Sequence, residues 1–405
     1  MHRFILFRNI LQDPIIQKVR YCLAQPEKEE PYFDLTGDLI TQGELLGLKG
    51  NLLVSYIIYL LSRDENIFST MAEKAGRHIG SGLYQAAIHD MKIIKDLLRI
   101  RLPARLPLSE SYEPTFLHNQ SYWEELRACF LSDASPGDMV EKLIEFYRCC
   151  GTGDMAGYAA FRWNNTDRRL SGIEHYDPIR LNDIIGYEYQ KEVLIRNTLA
   201  FLDGKPANNV LLVGARGTGK SSSVKALANE YFSQGLRLVE IAKQELGALQ
   251  AVMAFLRHKS KKFILFIDDL SFEEFEIEYK HLKSAIEGGV EQKPDNVVIY
   301  ATSNRRHLIR ENWNERSGDA DDIHFNDAIN EKISLSDRFG ITLTYLAPDQ
   351  KDYLTIISEV AQRNGICLSP EELRKEALHW EMSHSGRSGR TAQQLVNHLL
   401  CRQSS

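Results

Sequence analysis

The sequence has few of the features that mark secreted, membrane-spanning or nucleic-acid-coating proteins. It contains six cysteines in 405 residues, and no two of them form a C-x-x-C pair. Thiols spread this thinly argue against a disulfide framework and a cysteine metal site, and favour reduced cysteines. The formal net charge of −6 argues against a chain that coats nucleic acid or an anionic membrane through its overall field.

Long apolar runs are missing as well. The most apolar stretch, residues 52–61, is about half of the roughly 20 residues that a transmembrane helix needs, and Lys49 and Arg63 flank it. It therefore predicts a buried helix. Arg8 interrupts the short apolar stretch at the N-terminus, and no small-residue cleavage pattern follows it, which argues against a secretory signal. The sequence thus predicts a cytoplasmic protein without a membrane segment.

The patterns that are present divide the chain into three parts. Residues 1–175 repeat apolar positions three and four apart, which predicts a mostly helical domain. In residues 176–346, five strand-like apolar runs alternate with helical patterns, which predicts a parallel sheet with helices on both faces. Residues 347–405 predict a small appendix of three helices. The expected fold class is α/β with helical parts before and after the sheet.

The segment 210–232, VLLVGARGTGKSSSVKALANEYF, joins the first strand-like run to an amphipathic helix. Its turn matches G-x-x-x-x-G-K-[ST], the phosphate loop, in the strand-then-helix context that this motif requires. Backbone N–H groups would hold the α- and β-phosphates, Lys220 would reach the β- and γ-phosphates, and Ser221 would ligate Mg²⁺. The predicted ligand-binding residues are Gly214, Gly217, Thr218, Gly219, Lys220, Ser221 and Ser222.

Polar side chains end two further strand-like runs. FILFIDDL places Asp268 and Asp269 after one run, and VVIYATSN places Asn304 at the end of another. We expect Asp268 to orient Mg²⁺ through its water shell and Asp269 to polarise the attacking water. Asn304 would orient that water as a neutral amide. Helix-capping carboxylates and a turn-forming Asn are the competing interpretations.

Two arginines follow these motifs along the chain. Arg338 precedes a glycine and the last strand-like run, on a loop that could project toward another subunit's γ-phosphate as an arginine finger. Arg390 lies in the first turn of a helix whose apolar face leaves its side chain able to turn toward the nucleotide. For each arginine alone, a surface ion pair is the competing interpretation.

This set of motifs resembles that of the AAA+ ATPases, and the resemblance covers residues 176–405. It implies a P-loop core with a parallel sheet, a helical lid, and ATP and Mg²⁺ as ligands. It also implies a homo-oligomer in which Arg338 acts on a neighbour and Arg390 serves as the second sensor. In the lead-in LNDIIGYEYQ, it places Ile185 and Gly186 in the adenine pocket. KPANNVLLVGARGTGKSSSVKAL, FIDDLSFEE and SGRSGRTAQQL are similar to a bacterial domain-of-unknown-function family of stand-alone predicted ATPases.

Two positions qualify the resemblance. Most members of the superfamily have Glu where this chain has Asp269, and the shorter side chain predicts slow turnover. Arg387, three residues before Arg390, is an alternative second sensor.

The implied function is Mg-ATP binding and hydrolysis coupled to remodelling or loading of a partner, with the helical N-terminal domain recognising a protein. One alternative is a nucleotide-gated switch or adaptor with little turnover. The other is a loader that handles DNA or RNA. The basic clusters 99–105 and 257–262 are the candidate nucleic-acid-binding sites, and the acidic stretch 314–322 would oppose such binding.

Overall fold

The computed structural model divides the chain into two compact units. The described residues are 3–100, 111–115, 121–270, 277–287, 292–304, 338–384 and 386–403. The first unit comprises Met1–Tyr158 with Ser233–Gly235, and the second comprises Ala159–Phe232 with Leu236–Ser405. Within the described ranges, no helix combines the length and the apolar character needed to cross a membrane.

The first unit is helical. Its α-helices are α1 (Pro14–Ala24), α2 (Glu30–Leu46), α3 (Leu52–Arg63), α4 (Ile67–Ala75), α5 (Ser81–Leu98), α6 (Ser121–Leu131), α7 (Pro136–Cys150) and α8 (Asp154–Gly157). The apolar stretch that predicts a buried helix is α3, in which Leu52, Ile58 and Leu61 are fully buried. The side chain of Asn51 starts this helix by accepting a hydrogen bond from Val54 N. The predicted helical character of the N-terminal part is confirmed.

A seven-stranded sheet organises the described part of the second unit. Its strands are β1 (Ala160–Asn164), β2 (Arg169–Gly172), β3 (Val210–Gly214), β4 (Leu236–Glu240), β5 (Lys262–Ile267), β6 (Val297–Ser303) and β7 (Ile341–Tyr345). They lie in the order β2-β1-β4-β5-β6-β3-β7. All neighbours are parallel except β1 and β2. The five strand-like runs of the sequence are β3 to β7, so the predicted parallel sheet is confirmed.

The antiparallel hairpin of β1 and β2 lies within residues 1–175, which the sequence predicts to be mostly helical. Asn164 pairs with Arg169 across the turn, and Asn164 Oδ1 accepts hydrogen bonds from Thr166 N and Asp167 N. β1 then pairs in parallel with β4. These strands extend the sheet, so the second unit begins at Ala159 rather than near residue 176.

Both faces of the sheet are buried, as parallel α/β sheets require. Val210 and Leu212 of β3 pack in a cluster with Leu194 and Leu227, and the alternate residue Leu211 is fully buried too. The helices of this unit before the lid are α9 (Glu188–Leu202), α10 (Lys220–Glu230), α11 (Leu249–Arg257) and α12 (Ile277–Glu287). Because the strands are parallel, the residues that follow β3, β5 and β6 meet at one edge, where such sheets bind ligands.

Three helices follow the sheet and form the lid. They are α13 (Gln350–Arg363), α14 (Pro370–Ser383) and α15 (Gly389–Gln403). Tyr353, Ile357, Ala392 and Leu395 are fully buried in their shared core. The three-helix appendix predicted by the sequence is therefore present.

Candidate functional site

Three glycines with left-handed backbones shape the phosphate loop between β3 and α10. Gly214, Gly217 and Gly219 have φ angles of 139°, 74° and 86°. A Cβ on Gly214 would lie 2.0 Å from the backbone oxygen of Tyr345, so a side chain there would displace the neighbouring strand. The glycines let the loop fold back on itself and present its N–H groups inward, as an anion site requires.

The N-terminus of α10 adds positive potential to this loop. The helix begins at Lys220, and its N-cap is a glycine that offers no side-chain hydrogen bond. The first N–H groups of a helix have no acceptor within the helix, and Lys220, Ser221 and Ser222 supply them here. Thr218 braces the loop instead, because its hydroxyl donates to Ala215 O at 2.8 Å.

The ammonium group of Lys220 is held against the loop. The residue is 6% exposed, and Nζ donates to Gly214 O at 3.0 Å and to Ala215 O at 2.6 Å. A third hydrogen bond joins Nζ to Asn304 Oδ1 at 3.0 Å. These three bonds use all the donors of a lysine. The cation of the motif is thus connected to the end of β6.

The charges around Lys220 oppose one another. Burial lowers the pKa of its amine, and the nearby carboxylates of Asp268 and Asp269 counteract that effect. The positive charges of Arg216 and Arg390 lower the pKa further. The loop therefore concentrates positive charge in a partly desolvated place, which favours an anionic ligand.

Asp268 and Ser221, the two predicted Mg²⁺ ligands, are in direct contact. Ser221 Oγ donates to Asp268 Oδ1 at 2.6 Å. The same carboxylate oxygen accepts from Thr302 Oγ1 at 2.6 Å. The start of α10, the end of β5 and the end of β6 thus meet at one oxygen atom.

Asp269 has a left-handed backbone with φ of 52°, a region that Asp tolerates better than most residues. Its backbone N–H donates to Thr302 Oγ1 at 3.0 Å, and its carboxylate Oδ1 accepts from Asn304 Nδ2 at 2.6 Å. The structure therefore brings Lys220, Asn304 and Asp269 together in one hydrogen-bonded chain.

The lead-in residues predicted for the adenine pocket lie between the phosphate loop and the lid. Ile185 packs against the buried cluster of the lid helices, and Gly186 has a φ of 79°. The preceding Ile184 approaches the loop, since its Cγ2 would lie 3.3 Å from a Cβ on Gly219.

The two candidates for the second sensor have different surroundings. Arg390 N donates to Gly217 O at 3.3 Å, and the charge of Arg390 acts on Lys220. Arg387 Nε instead donates to Glu381 Oε1 at 2.7 Å on α14. The first turn of α15 thus directs Arg390, rather than Arg387, to the phosphate loop.

Arg338 lies near the amino ends of the parallel strands, whereas the phosphate loop of its own chain lies at their carboxyl ends. β7 runs parallel to β3, with Ile341 opposite Val210 and Tyr345 opposite Gly214. Arg338 comes before β7, whereas the loop comes after β3. Five residues of strand span roughly 16 Å, so the structure does not bring Arg338 into the site with the other predicted residues.

The residues present fit a triphosphate and Mg²⁺. A Cβ on Gly214 would collide with the backbone of Tyr345, and one on Gly217 would crowd Ser388 and Arg390, so glycines are needed for the tight turn whose N–H groups can hold a phosphate. The hydroxyl of Ser221 and the carboxylate of Asp268 are hard oxygen ligands. Mg²⁺ keeps several waters and uses phosphate oxygens, so one or two protein ligands suffice.

Sequence motifs do not single out Thr302, although it contacts both acidic residues. It is 1% exposed and hydrogen-bonds Asp268 Oδ1 and Asp269 N. Its position two residues before Asn304, at the end of a buried strand, is the feature of the sequence from which its role could have been predicted.

Curated relatives match short segments of the chain. The replication factor C large subunit of Staphylothermus marinus is 34% identical over 97 residues, which are 22% of this chain and 22% of that protein. The corresponding subunit of Methanococcus maripaludis is 37% identical over 81 residues, which are 20% of this chain and 17% of that protein. The matched segments thus span about a fifth of the length of these relatives.

A solved structure and a family model match larger parts. The Thermotoga maritima RuvB Holliday junction branch migration motor aligns with a TM-score of 0.38 at 18% identity, covering 54% of this chain and 63% of that chain. The family model described as "Protein of unknown function (DUF815)" matches residues 156–403, more than half of the chain. The chain therefore belongs to the DUF815 family.

Proposed function

We propose that this protein is a Mg²⁺-dependent ATPase that works as a homo-oligomer and couples ATP binding and hydrolysis to remodelling or loading of a partner. The observation that carries the proposal is the pair of contacts at the carboxyl edge of the sheet. Ser221 contacts Asp268, and Asn304 joins Lys220 to Asp269. These contacts support a site in which a cation, two metal ligands and a general base lie together beside one phosphate loop.

In this proposal each residue has a separate task. Lys220 pairs with the phosphates, and Ser221 and Asp268 hold Mg²⁺, which neutralises charge on the phosphates when bound. Asp269 accepts a hydrogen bond from the attacking water, and Asn304 orients that water without adding charge. Ile185 and Gly186 line the adenine pocket.

The position of Arg338 supports catalysis between subunits. An arginine at the far edge of the sheet cannot reach the nucleotide of its own chain across the length of β3. A second copy that presents this edge to the phosphate loop would supply the guanidinium in trans. Arg390 would act within its own chain, since its backbone already contacts Gly217.

A switch with little turnover is the second candidate function, and one contact favours it. Asn304 Nδ2 holds Asp269 Oδ1 at 2.6 Å, and Asp is shorter than the Glu that most superfamily members have there. ATP would then hold an assembly together, with the helical first unit recognising a protein partner. Affinity capture with Asp269→Asn in the presence of ATP is expected to retain that partner.

The nucleic-acid alternative has less support. In the basic stretch 257–262, Lys261 is 3% exposed, Lys262 Nζ donates to Asp295 O at 3.1 Å, and Lys259 lies over the ring of Phe255. These side chains are engaged within their own fold. The acidic stretch 314–322 and residues 101–105 lie outside the described residues. A salt-dependent gel shift tests this alternative.

Phosphate release from ATP by the purified full chain, with and without Mg²⁺, tests the leading proposal. We expect Mg²⁺-dependent turnover in the wild type and loss of nucleotide binding or turnover in Lys220→Ala. Asp269→Asn is expected to bind ATP and to hydrolyse it at least about 10²-fold more slowly than the wild type. A wild type that neither releases phosphate nor gains thermal stability from Mg-ATP would falsify the proposal.

A further inference from the structure

Thr302, at the end of β6, is attached to the acidic turn that follows β5. Its hydroxyl Oγ1 donates to Asp268 Oδ1 at 2.6 Å and accepts from Asp269 N at 3.0 Å. Its backbone oxygen accepts from Leu270 N at 2.6 Å. One residue therefore holds three successive positions of this turn.

The chemistry of this contact requires a hydroxyl group. A hydroxyl has one donor and two acceptor positions, so Thr302 Oγ1 can donate to a carboxylate and accept from a backbone N–H at the same time. A Val of nearly the same shape can do neither. It would remove one of the donors to Asp268 Oδ1 and one of the two acceptors of Asp269 N, which also donates to Asp268 Oδ1 at 3.1 Å.

These hydrogen bonds also support an unfavourable backbone conformation. Asp269 has a φ of 52°, which costs energy for any residue with a Cβ and persists only where neighbouring groups enforce it. The bonds from Asp269 N and Leu270 N to Thr302 enforce it here. That backbone turn directs the carboxylate of Asp269 to Asn304.

We propose that Thr302 is a positioning residue that fixes the metal ligand Asp268 relative to the general base Asp269. The inference rests on the proposed ATPase function and adds a residue to it. Thr302 does not face the phosphates in this role; it acts through the two carboxylates. Loss of its hydroxyl should therefore affect Mg²⁺ dependence and turnover more than ATP affinity.

Any buried Thr loses a hydrogen bond when it becomes Val, so a matched control is needed. Thr198 of α9 is fully buried, and its Oγ1 lies 2.9 Å from the hydroxyl of Tyr300. Thr198→Val makes the same chemical change in the same unit, away from the acidic pair. Thr302→Ser keeps the hydroxyl and removes only a methyl group.

The experiment compares the wild type, Thr302→Val, Thr302→Ser and Thr198→Val as full-length chains. Four quantities are measured: kcat for ATP, KM for ATP, the Mg²⁺ concentration that gives half-maximal rate, and the rise in Tm when Mg²⁺ is added to the ADP-bound protein. For Thr302→Val we expect kcat to fall about 10- to 100-fold and half-maximal Mg²⁺ to rise about tenfold, as for other residues that orient metal ligands. Its KM for ATP should stay within about threefold of the wild type, and its Mg²⁺-induced rise in Tm should be smaller than that of the wild type. Thr302→Ser and Thr198→Val should keep wild-type Mg²⁺ dependence.

Two results would overturn the inference while leaving the ATPase proposal intact. In the first, Thr302→Val keeps the Mg²⁺ dependence and kcat of an active wild type. In the second, Thr302→Ser or Thr198→Val shows the same change as Thr302→Val, which makes the effect one of packing. If Thr302→Val does not fold, Thr302→Ala takes its place with the same expected results. If the wild type shows no Mg²⁺-dependent nucleotide binding, both the ATPase proposal and the proposed role of Thr302 are wrong.

Discussion

Lys220 and Asn304 are joined by a hydrogen bond of 3.0 Å from Nζ to Oδ1, and Asn304 Nδ2 donates to Asp269 Oδ1 at 2.6 Å. Only one orientation of the amide satisfies both contacts, because an ammonium only donates and a carboxylate only accepts. A neutral amide therefore links the cation of the phosphate loop to the acid that faces it. A ligand that draws Lys220 away from Asn304 also changes the surroundings of Asp269.

Substitution of Asn304 tests this link. Asn304→Ala removes both contacts, and we expect kcat to fall about 10²-fold, as it does when a preorganised polar group is lost from a reaction site. ATP affinity should change little, because the loop and Lys220 remain. Steady-state phosphate release and calorimetric ATP titration measure the two effects.

Asn304→Asp distinguishes the amide donor from the side-chain shape. The new carboxylate can still accept from Lys220, but it places a second negative charge against Asp269. We therefore expect weaker ATP binding than in Asn304→Ala and no recovery of kcat. Wild-type turnover in Asn304→Asp would show that the amide donor has no role.

Mixing two inactive variants tests catalysis between subunits. Arg338→Ala should lower kcat about 10³-fold, the lower end of the effect of an arginine finger, while ATP affinity is kept. Lys220→Ala should be inactive because it does not bind ATP. A mixture of the two should recover activity, because the Lys220→Ala chain can offer its Arg338 to the intact loop of the other.

Arg374→Ala controls for loss of an arginine, since this residue is exposed on α14. It should have wild-type kcat alone, and its mixture with Lys220→Ala should show no activity beyond that of Arg374→Ala itself. If the mixture of Arg338→Ala and Lys220→Ala stays as inactive as its parts under conditions in which the wild type assembles, Arg338 does not act in trans.

The parts of the fold that the sequence predicts are those with strong local patterns. Strands buried on both faces give near-continuous apolar runs, so β3 and β5 could be found directly. The glycines of the phosphate loop are visible because left-handed backbones restrict the choice of residue. The acids and Asn304 then follow from the rule that parallel strands end at one edge.

The parts that the sequence does not predict depend on contacts between distant segments. β1 and β2 have five and four residues, some of them polar, and are too short to show an alternating pattern. Thr302 reaches Asp268 across 34 positions, so its role depends on the register of β5 and β6. Likewise, the pairing of Arg387 with Glu381 is set by how α14 packs on α15.

The buried amine of Lys220 predicts a pH dependence of stability. Burial lowers its pKa from 10.5, so between the lowered pKa and 10.5 the unfolded chain binds more protons than the folded one. Stability attributable to this group therefore rises with pH through that window. The Tm of ligand-free wild type minus that of Lys220→Met should therefore increase as the pH rises toward 10.5. If this Tm difference decreases as the pH rises, burial does not lower the pKa of the Lys220 amine.

ATP provides the matching control for the same pair of proteins. Phosphate charges near Lys220 would raise its pKa, so the pH-dependent part of the difference should shrink when saturating Mg-ATP is present. If the pH dependence of the Tm difference is unchanged when nucleotide is bound, Lys220 does not lie near the phosphates.

The contact between the lid and the phosphate loop can be tested with two glycines of nearly equal φ angle. Gly217 and Gly204 have φ angles of 74° and 73°. A Cβ on Gly217 would lie 2.8 Å from Ser388 Oγ and 3.1 Å from Arg390 Cβ, whereas a Cβ on Gly204 would have nothing within 4 Å. Alanine at either site therefore has to adopt a positive φ, but only at Gly217 does its Cβ contact Ser388 and Arg390 at the start of α15.

Both Gly217→Ala and Gly204→Ala should lose roughly 1–2 kcal/mol of folding stability from the left-handed alanine. Only Gly217→Ala should also weaken ATP binding, by about tenfold or 1.4 kcal/mol, because displacement of α15 moves Arg390 away from the loop. Chemical denaturation and calorimetric ATP titration measure the two quantities. Equal ATP affinities in the two variants would mean that ATP binding does not depend on how closely the lid approaches the loop, and Arg390 would then lose its proposed place beside the nucleotide.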